Sequence, residues 1–286
     1  MLRIAVRNLE ESALKTLSEI QKIVDEPADY PTRVALAKSE WDAKMGTNAK
    51  KDAFRAVRNT LAKMCVGSVR CAYCEDSLAD EIEHIRPKNL FPENAFVWGN
   101  YLFACGPCNG PKSNRYGVLN GAIIDEFTRK RNDAVVPPAA GVSGFIDPRT
   151  EDPLAFLEKD LGGVTLGGTR IDGTFDILPL DGLGVADLAR ANFTIDVLDL
   201  NREVIREARK NAFGGFRARM HQYVVSKENG ADTTELAHLQ ADLLKTPHLS
   251  VFEDIRRQRH VLPDLLDLFA RAPEMLDWKV VPDVVA

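Results

Sequence analysis

The chain contains no run of about 18 consecutive apolar residues, so nothing in it reads as a membrane-spanning helix, and no membrane association is expected. Its opening, MLRIAVRNLEESALKTL, meets charge too early for the apolar stretch of a signal peptide, which predicts a soluble, cytoplasmic protein. Internal repeats and low-complexity tracts are lacking. Positive charge is not in excess. The 37 Lys and Arg against 42 Asp and Glu leave a net charge of -5, which argues against a general nucleic-acid coat. Cysteine and histidine are scarce, with five of each in 286 residues. So few thiols in a reducing compartment do not make a disulfide framework, and paired cysteines then point to metal or redox chemistry. What remains, 45% hydrophobic and 28% charged, is ordinary globular composition on a chain long enough to bury a sizeable core.

The charge is unevenly spread. Residues 31–70 hold nine Lys and Arg against three Asp and Glu, whereas residues 145–200 hold four against eleven. The first stretch reads as a solvated helix face, with a locally basic surface as the alternative; the second matches no calcium loop. Apolar positions Leu14, Leu17 and Ile20, then Phe54, Val57 and Leu61, recur at three and four and predict N-terminal helices, with Pro27 and Pro31 separating two of them. Residues 133–185, rich in Gly, Pro and Asp, predict loops and short strands, with GGVTLGGTRIDG as a hairpin. Beyond Asp187 the helical pattern returns. Asn201 reads as the N-cap of one helix, and Ser250 with Glu253 as a capping box on another. The expected fold class is α+β, mostly helical. A helical region at 1–66 and a loop-rich then helical region at 126–286 flank a small cysteine-bearing core at 67–125.

That core holds four of the five cysteines. Cys71, Cys74, Cys105 and Cys108 form two C-x2-C knuckles separated by thirty residues, a spacing that suits tetrahedral zinc because each knuckle offers two sulfurs on one tight turn. The competing readings are a thioredoxin-like redox pair, which would need one Cys-x-x-Cys opening a helix in a βαβ unit, and coincidental burial. Cys65 lies outside the pattern and reads as an ordinary buried thiol. His221, His238, His248 and His260 have no ligand-like neighbours and read as solvated or packed helical side chains.

Between and beside the knuckles lies IEHIRPKNLFPENAFVWGNYLFACGPCNGPK. Over residues 71–112 this resembles the HNH endonucleases, nucleases of the ββα-metal fold, in the subgroup whose core is stapled by a four-cysteine zinc. A weaker likeness runs through GFIDPRTEDPLAFL and VLDLNREVIREAR to the HNH nuclease subunits of the Septu anti-phage systems. The resemblance implies a structural zinc on the four cysteines and a catalytic magnesium or manganese held by Glu83 and Asn109. By the same resemblance His84 is the general base, Lys112 a phosphate contact, and Asn100 a loop brace orienting the strand that carries His84. Physical need agrees. Hydrolysing a phosphodiester requires an activated water and a cation facing the developing charge, and an imidazole with an ordinary pKa near 6.5 is largely neutral at pH 7. Glu83 and His84 point to opposite faces of a regular strand, so they share a site only if the strand ends there, and Pro87 supplies that ending. Asn109 is expected to open a helix that carries Lys112 on the same face one turn later. Asn109 stands where the family name has histidine, which favours magnesium or manganese over a softer metal, and Glu83 replaces the aspartate or histidine of many relatives.

The expectation is a metal-dependent endonuclease acting on nucleic acid, DNA in particular. Since one ββα site attacks one strand, double-strand cleavage requires a homodimer or two turnovers. The Septu resemblance implies an ABC-type ATPase partner and a role in antiviral defence. The alternative is a non-catalytic, zinc-ribbon-like module that binds nucleic acid or protein. Such a module needs the four cysteines but not Glu83, His84 and Asn109.

Overall fold

The N-terminal helices form where the apolar spacing predicts them. In this computed structural model, which describes residues 1–127, 129–130 and 132–280, helix α1 (Glu11–Asp25) buries Ala13, Leu17, Ile20 and Val24. Leu14 lies off that face and is 40% exposed, against expectation. Helix α2 (Tyr30–Asp42) carries Pro31 in its first turn, where a missing N–H breaks no bond, and the Asp29 side chain accepts from the Thr32 N–H. Helix α3 (Asn48–Met64), capped by Thr47, turns Phe54, Val57 and Leu61 inward and packs on α1.

Strands β1 (Glu81–His84) and β2 (Tyr101–Ala104) then pair antiparallel, with Glu83 opposite Leu102 and His84 opposite Tyr101. Helix α4 (Gly106–Lys112) follows directly. A second hairpin joins β3 (Tyr116–Asn120) to β4 (Ile123–Phe127) through a tight turn in which Gly121 takes φ +61°, a conformation glycine adopts without strain. Further on, β5 (Leu157–Lys159) pairs with β8 (Ile177–Pro179). The expected GGVTLGGTRIDG hairpin forms as β6 (Gly162–Val164) against β7 (Arg170–Asp172). The rest is helical: α5 (Val185–Val197), α6 (Glu203–Glu228), α7 (Thr233–Leu244), α8 (Leu249–Gln258) and α9 (Pro263–Arg271). The fold is thus mixed α+β and mostly helical, with small antiparallel sheets. No described helix is long and apolar enough to cross a membrane.

Two of the expected helix starts are displaced, each by hydrogen bonds to a distant part of the chain. Asn201 does not cap α6; its amide accepts from the Ile177 N–H (2.7 Å) and donates to the Ile177 carbonyl (2.8 Å), so Arg202 takes the capping position. Ser250 does not cap α8. That helix begins one residue before it, behind His248 at φ +59°, and the Ser250 N–H donates to the Glu75 carboxylate (3.0 Å) while Glu253 pairs with Arg256. His248 is accordingly buried beside Asp76 (3.2 Å), neither solvated nor packed on a helix face.

Among the described residues two large apolar cores result, with a small third cluster of Leu90, Tyr116 and Val118. The first joins α1 and α3 to the cysteine segment, β1, β2 and α5. The second is built by α6, α8 and α9 with Leu161 and Phe175. Buried charges tie the loop-rich region to the helices. Lys159 pairs with Asp254 (3.1 Å), and Arg209 donates to the carbonyls of Phe175 (3.0 Å) and Leu200 (2.5 Å).

Candidate metal centre and active site

Each knuckle is a local turn closed by its own backbone. The Glu75 N–H donates to the Cys71 carbonyl (2.9 Å), and the Cys108 and Asn109 N–H groups donate to the Cys105 carbonyl (3.1 and 2.9 Å). Strand β2 brings the two turns together, since the Ala72 N–H reaches the Phe103 carbonyl (3.0 Å) and the Asp80 N–H the Ala104 carbonyl (3.1 Å). The outcome is four buried, unbridged thiols with all their sulfurs within 4.8 Å of one another. Zinc at its usual bond length of about 2.3 Å holds tetrahedral sulfurs about 3.8 Å apart. Cys74 and Cys105 already stand at 3.8 Å. Four adjacent sulfurs in apolar surroundings cannot all ionise without a cation among them, so the donor set fits a metal such as zinc. With four thiolate ligands no coordination position is open to water, which makes such a metal structural. Arg202 donates from Nη2 to the Cys108 sulfur at 3.3 Å. Cys65 stands apart, half-buried, with burial pushing its thiol pKa up.

Beside this cluster a cavity of about 380 Å³ is lined by Trp41, Glu81, Glu83, His84, Lys88 and Asn109, among others. Strand β1 ends at His84, which lets both members of the Glu83–His84 pair reach it. His84 is held hard. Its Nε2 lies 2.9 Å from the Ala95 carbonyl, which also accepts from the Tyr101 hydroxyl (2.8 Å). A carbonyl only accepts, so Nε2 carries the proton and Nδ1 is the nitrogen able to take one. The Trp41 and Tyr101 rings stand edge-on to the imidazole at 4.3 and 5.2 Å. Burial, and then the charge of Lys88, pushes the His84 pKa down to about 3, so the ring is neutral at pH 7.

The other expected residues are engaged with one another. Lys112 Nζ lies 2.5 Å from Glu83 Oε1 and donates to the His84 carbonyl (2.8 Å). It is 1% exposed, so reaching a phosphate would require that pair to open. Burial pushes the Glu83 carboxyl pKa up despite Lys112. Asn109 does not open its helix: α4 begins three residues earlier, behind Cys105, because Pro107 fits the first turn. Its Nδ2 donates to Glu81 Oε2 (2.7 Å), which leaves Oδ1 as the end free to ligate. Glu81 escaped the sequence analysis, although it stands two residues before Glu83 and so on the same strand face. Trp41 and Lys88 were missed as well; the first comes from a helix forty residues upstream.

Asn100 sits behind the cavity. Its Oδ1 accepts from the Arg86 N–H (2.8 Å), and Nδ2 donates to the carbonyls of Arg86 and Asn94 (2.9 Å each). This one amide closes the loop that follows β1. Asn100→Ala would strand those backbone groups, and at about 1–3 kcal/mol for a buried group left unpaired, a loss on the order of 2 kcal/mol is expected. A urea midpoint identical to wild type would show that these bonds carry no weight.

No family model and no solved structure matches the chain. Among curated proteins, the Septu protein PtuB of Bacillus thuringiensis is 32% identical over 72 residues, covering 22% of this chain and 28% of that protein. The chain therefore matches less than a third of the relative's length, and what is common to both is a partial similarity.

Proposed function

We propose that the chain is a metal-dependent HNH endonuclease that hydrolyses phosphodiester bonds of DNA, with a nuclease core at residues 67–125 between helical regions at 1–66 and 126–286. The observation that carries this is the fixed tautomer of His84: a neutral imidazole, proton held on the Ala95 carbonyl, lining a cavity beside two carboxylates and an amide. His84 takes the proton from the attacking water at Nδ1. Tyr101, bonded to the same carbonyl, and Trp41, against the ring, keep the imidazole from turning.

The donors at hand fit a hard cation. Glu83, once its carboxylate exchanges Lys112 for a cation, and Asn109, with Oδ1 free, offer the oxygen ligands that magnesium or manganese prefers. Among the described residues the cysteines are the group of three or more His, Cys, Asp and Glu close enough to hold an ion, so the rest of the second metal's shell falls to water and phosphate oxygens, as magnesium accepts. Bound there, the cation would supply charge stabilisation to the leaving 3′-oxygen. Lys112 then loses Glu83 as its counter-ion and keeps the His84 carbonyl.

The similarity to PtuB supports placing this activity in a Septu-type anti-phage system, with an ABC-type ATPase as partner and a second copy of the chain or a second turnover for the other strand. Plasmid nicking that requires added magnesium or manganese, leaving 5′-phosphate and 3′-hydroxyl ends, is the expected result. End-labelling that finds 3′-phosphates would reverse the positions of metal and base. One observation favours the non-catalytic, zinc-ribbon-like reading, namely the closure of Glu83 on Lys112. Retention of DNA with no nicking in any divalent metal would establish it.

A further inference from the structure

Two lysines from separate parts of the chain converge on one tryptophan that lines this cavity. Lys44, just past the end of α2, sets its Nζ 4.9 Å from the centre of the Trp41 ring and donates to the Trp41 carbonyl (3.2 Å). Lys88, on the loop after β1, sets its Nζ 5.5 Å from the same ring. Trp41 in turn rests on His84, the residue proposed to act on the substrate. Neither ammonium has a carboxylate within ion-pairing distance among the described residues. Lys88 is half-buried all the same. Burial is the main cause depressing its pKa, with Glu83 and Asp42 pulling the other way and Lys44 and Lys112 adding repulsion.

A single lysine over a tryptophan needs no ligand, because that contact is favourable by itself. A pair is different: the second ammonium adds repulsion that the ring does not cancel, and Lys88 feels both Lys44 and the buried Lys112. Two ammoniums over one ring, neither ion-paired with a carboxylate, are relieved by an anion. Among anions, the one that must lie within a few ångströms of His84 in a phosphodiesterase is the backbone of its own substrate.

We propose that Lys44 and Lys88 together bind a backbone phosphate of the strand being cut, adjacent to the scissile one, with Trp41 fixing their distance from His84; this rests on the nuclease reading. The N-terminal helical region thereby supplies part of the substrate site, and Lys44 separates from the rest of the basic stretch 31–70 as a residue with a ligand. The two lysines act on position, not on the chemical step.

The test uses the full chain carrying His84→Ala, which is expected to hold an oligonucleotide without cutting it. Adding Lys44→Gln and Lys88→Gln should weaken that binding at least tenfold at low salt and lower the slope of log affinity against log salt by about 1. The same charge removed at the exposed Lys51, by Lys51→Gln, should change neither, and Lys44→Arg with Lys88→Arg should restore both. In the cleaving background the double glutamine variant should raise KM at least tenfold while kcat falls less than threefold. If that variant matches Lys51→Gln in slope and in KM, the proposal is overturned, while a wild-type protein that still nicks keeps the nuclease reading. If wild type never nicks yet the two lysines still govern oligonucleotide binding, the nuclease reading fails and the phosphate site stands. Equal competition by ATP and by an oligonucleotide of the same phosphate concentration would move the site from strand to free nucleotide and overturn the proposal.

Discussion

Cys74→Ser is expected to remove the metal and, with it, the ordered segment from Cys71 to Lys112. The β1–β2 pair has four residues a side and α4 only seven, too little structure to persist alone, and the turns that aim Cys71 and Cys108 at each other have no other cross-link. All four cysteines belong to the same apolar core as Leu17, Val57 and Leu61, so the damage spreads to the N-terminal helices. Structural zinc sites supply on the order of 10 kcal/mol, comparable to the whole stability of a domain. Even ~5 kcal/mol lowers the unfolding midpoint by more than ~10 °C at about 2–4 °C per kcal/mol. Elemental analysis should find one zinc per wild-type chain and none in the variant. A wild-type protein free of zinc, or a variant that melts where wild type does, would refute the assignment.

His84→Ala should reduce cleavage by about 10² to 10⁴, the range for loss of a general base, with KM unchanged. The size follows from how fully the ring is committed: one nitrogen tied to Ala95, the ring faces closed in by Trp41 and Tyr101, the other nitrogen reserved for a proton. No neighbouring group can replace it. In the proposed site Glu83 is committed to the cation, and Glu81 accepts from Asn109. Substitution also empties a buried position, so zinc content and unfolding midpoint are measured alongside the rate. Undiminished cleavage with both intact would assign the base elsewhere.

The four-cysteine cluster was legible in the sequence because each knuckle is a four-residue turn, and local spacing is what a sequence reports directly. The hairpin at GGVTLGGTRIDG was legible for the same reason. The caps at Asn201 and Ser250 were misread because distant partners claim them: the Ile177 N–H donates to the Asn201 amide oxygen, and the Glu75 carboxylate accepts from the Ser250 N–H, both from far along the chain. Trp41, Lys44 and Lys88 illustrate the opposite failure. Nothing in the residues around Trp41 announces that α2 will end against the histidine of a strand forty residues later, since that contact exists only once α1, α2 and the β1–β2 pair share a core. Glu81 alone was within reach, through the two-residue period of the strand that carries Glu83.

The hydrogen bond from Arg202 to the Cys108 sulfur has an electrostatic meaning for where this protein can be cut. Four thiolates around one divalent zinc carry two units of excess negative charge, and apolar walls do nothing to spread it. The guanidinium that offsets part of that charge sits 94 residues further along the chain, at the entry to α6. A fragment ending before Arg202 would keep every metal ligand and still present an unbalanced anion in its interior. The metal centre is drawn from residues 71–108, but part of its excess charge is offset only when the C-terminal helices are attached.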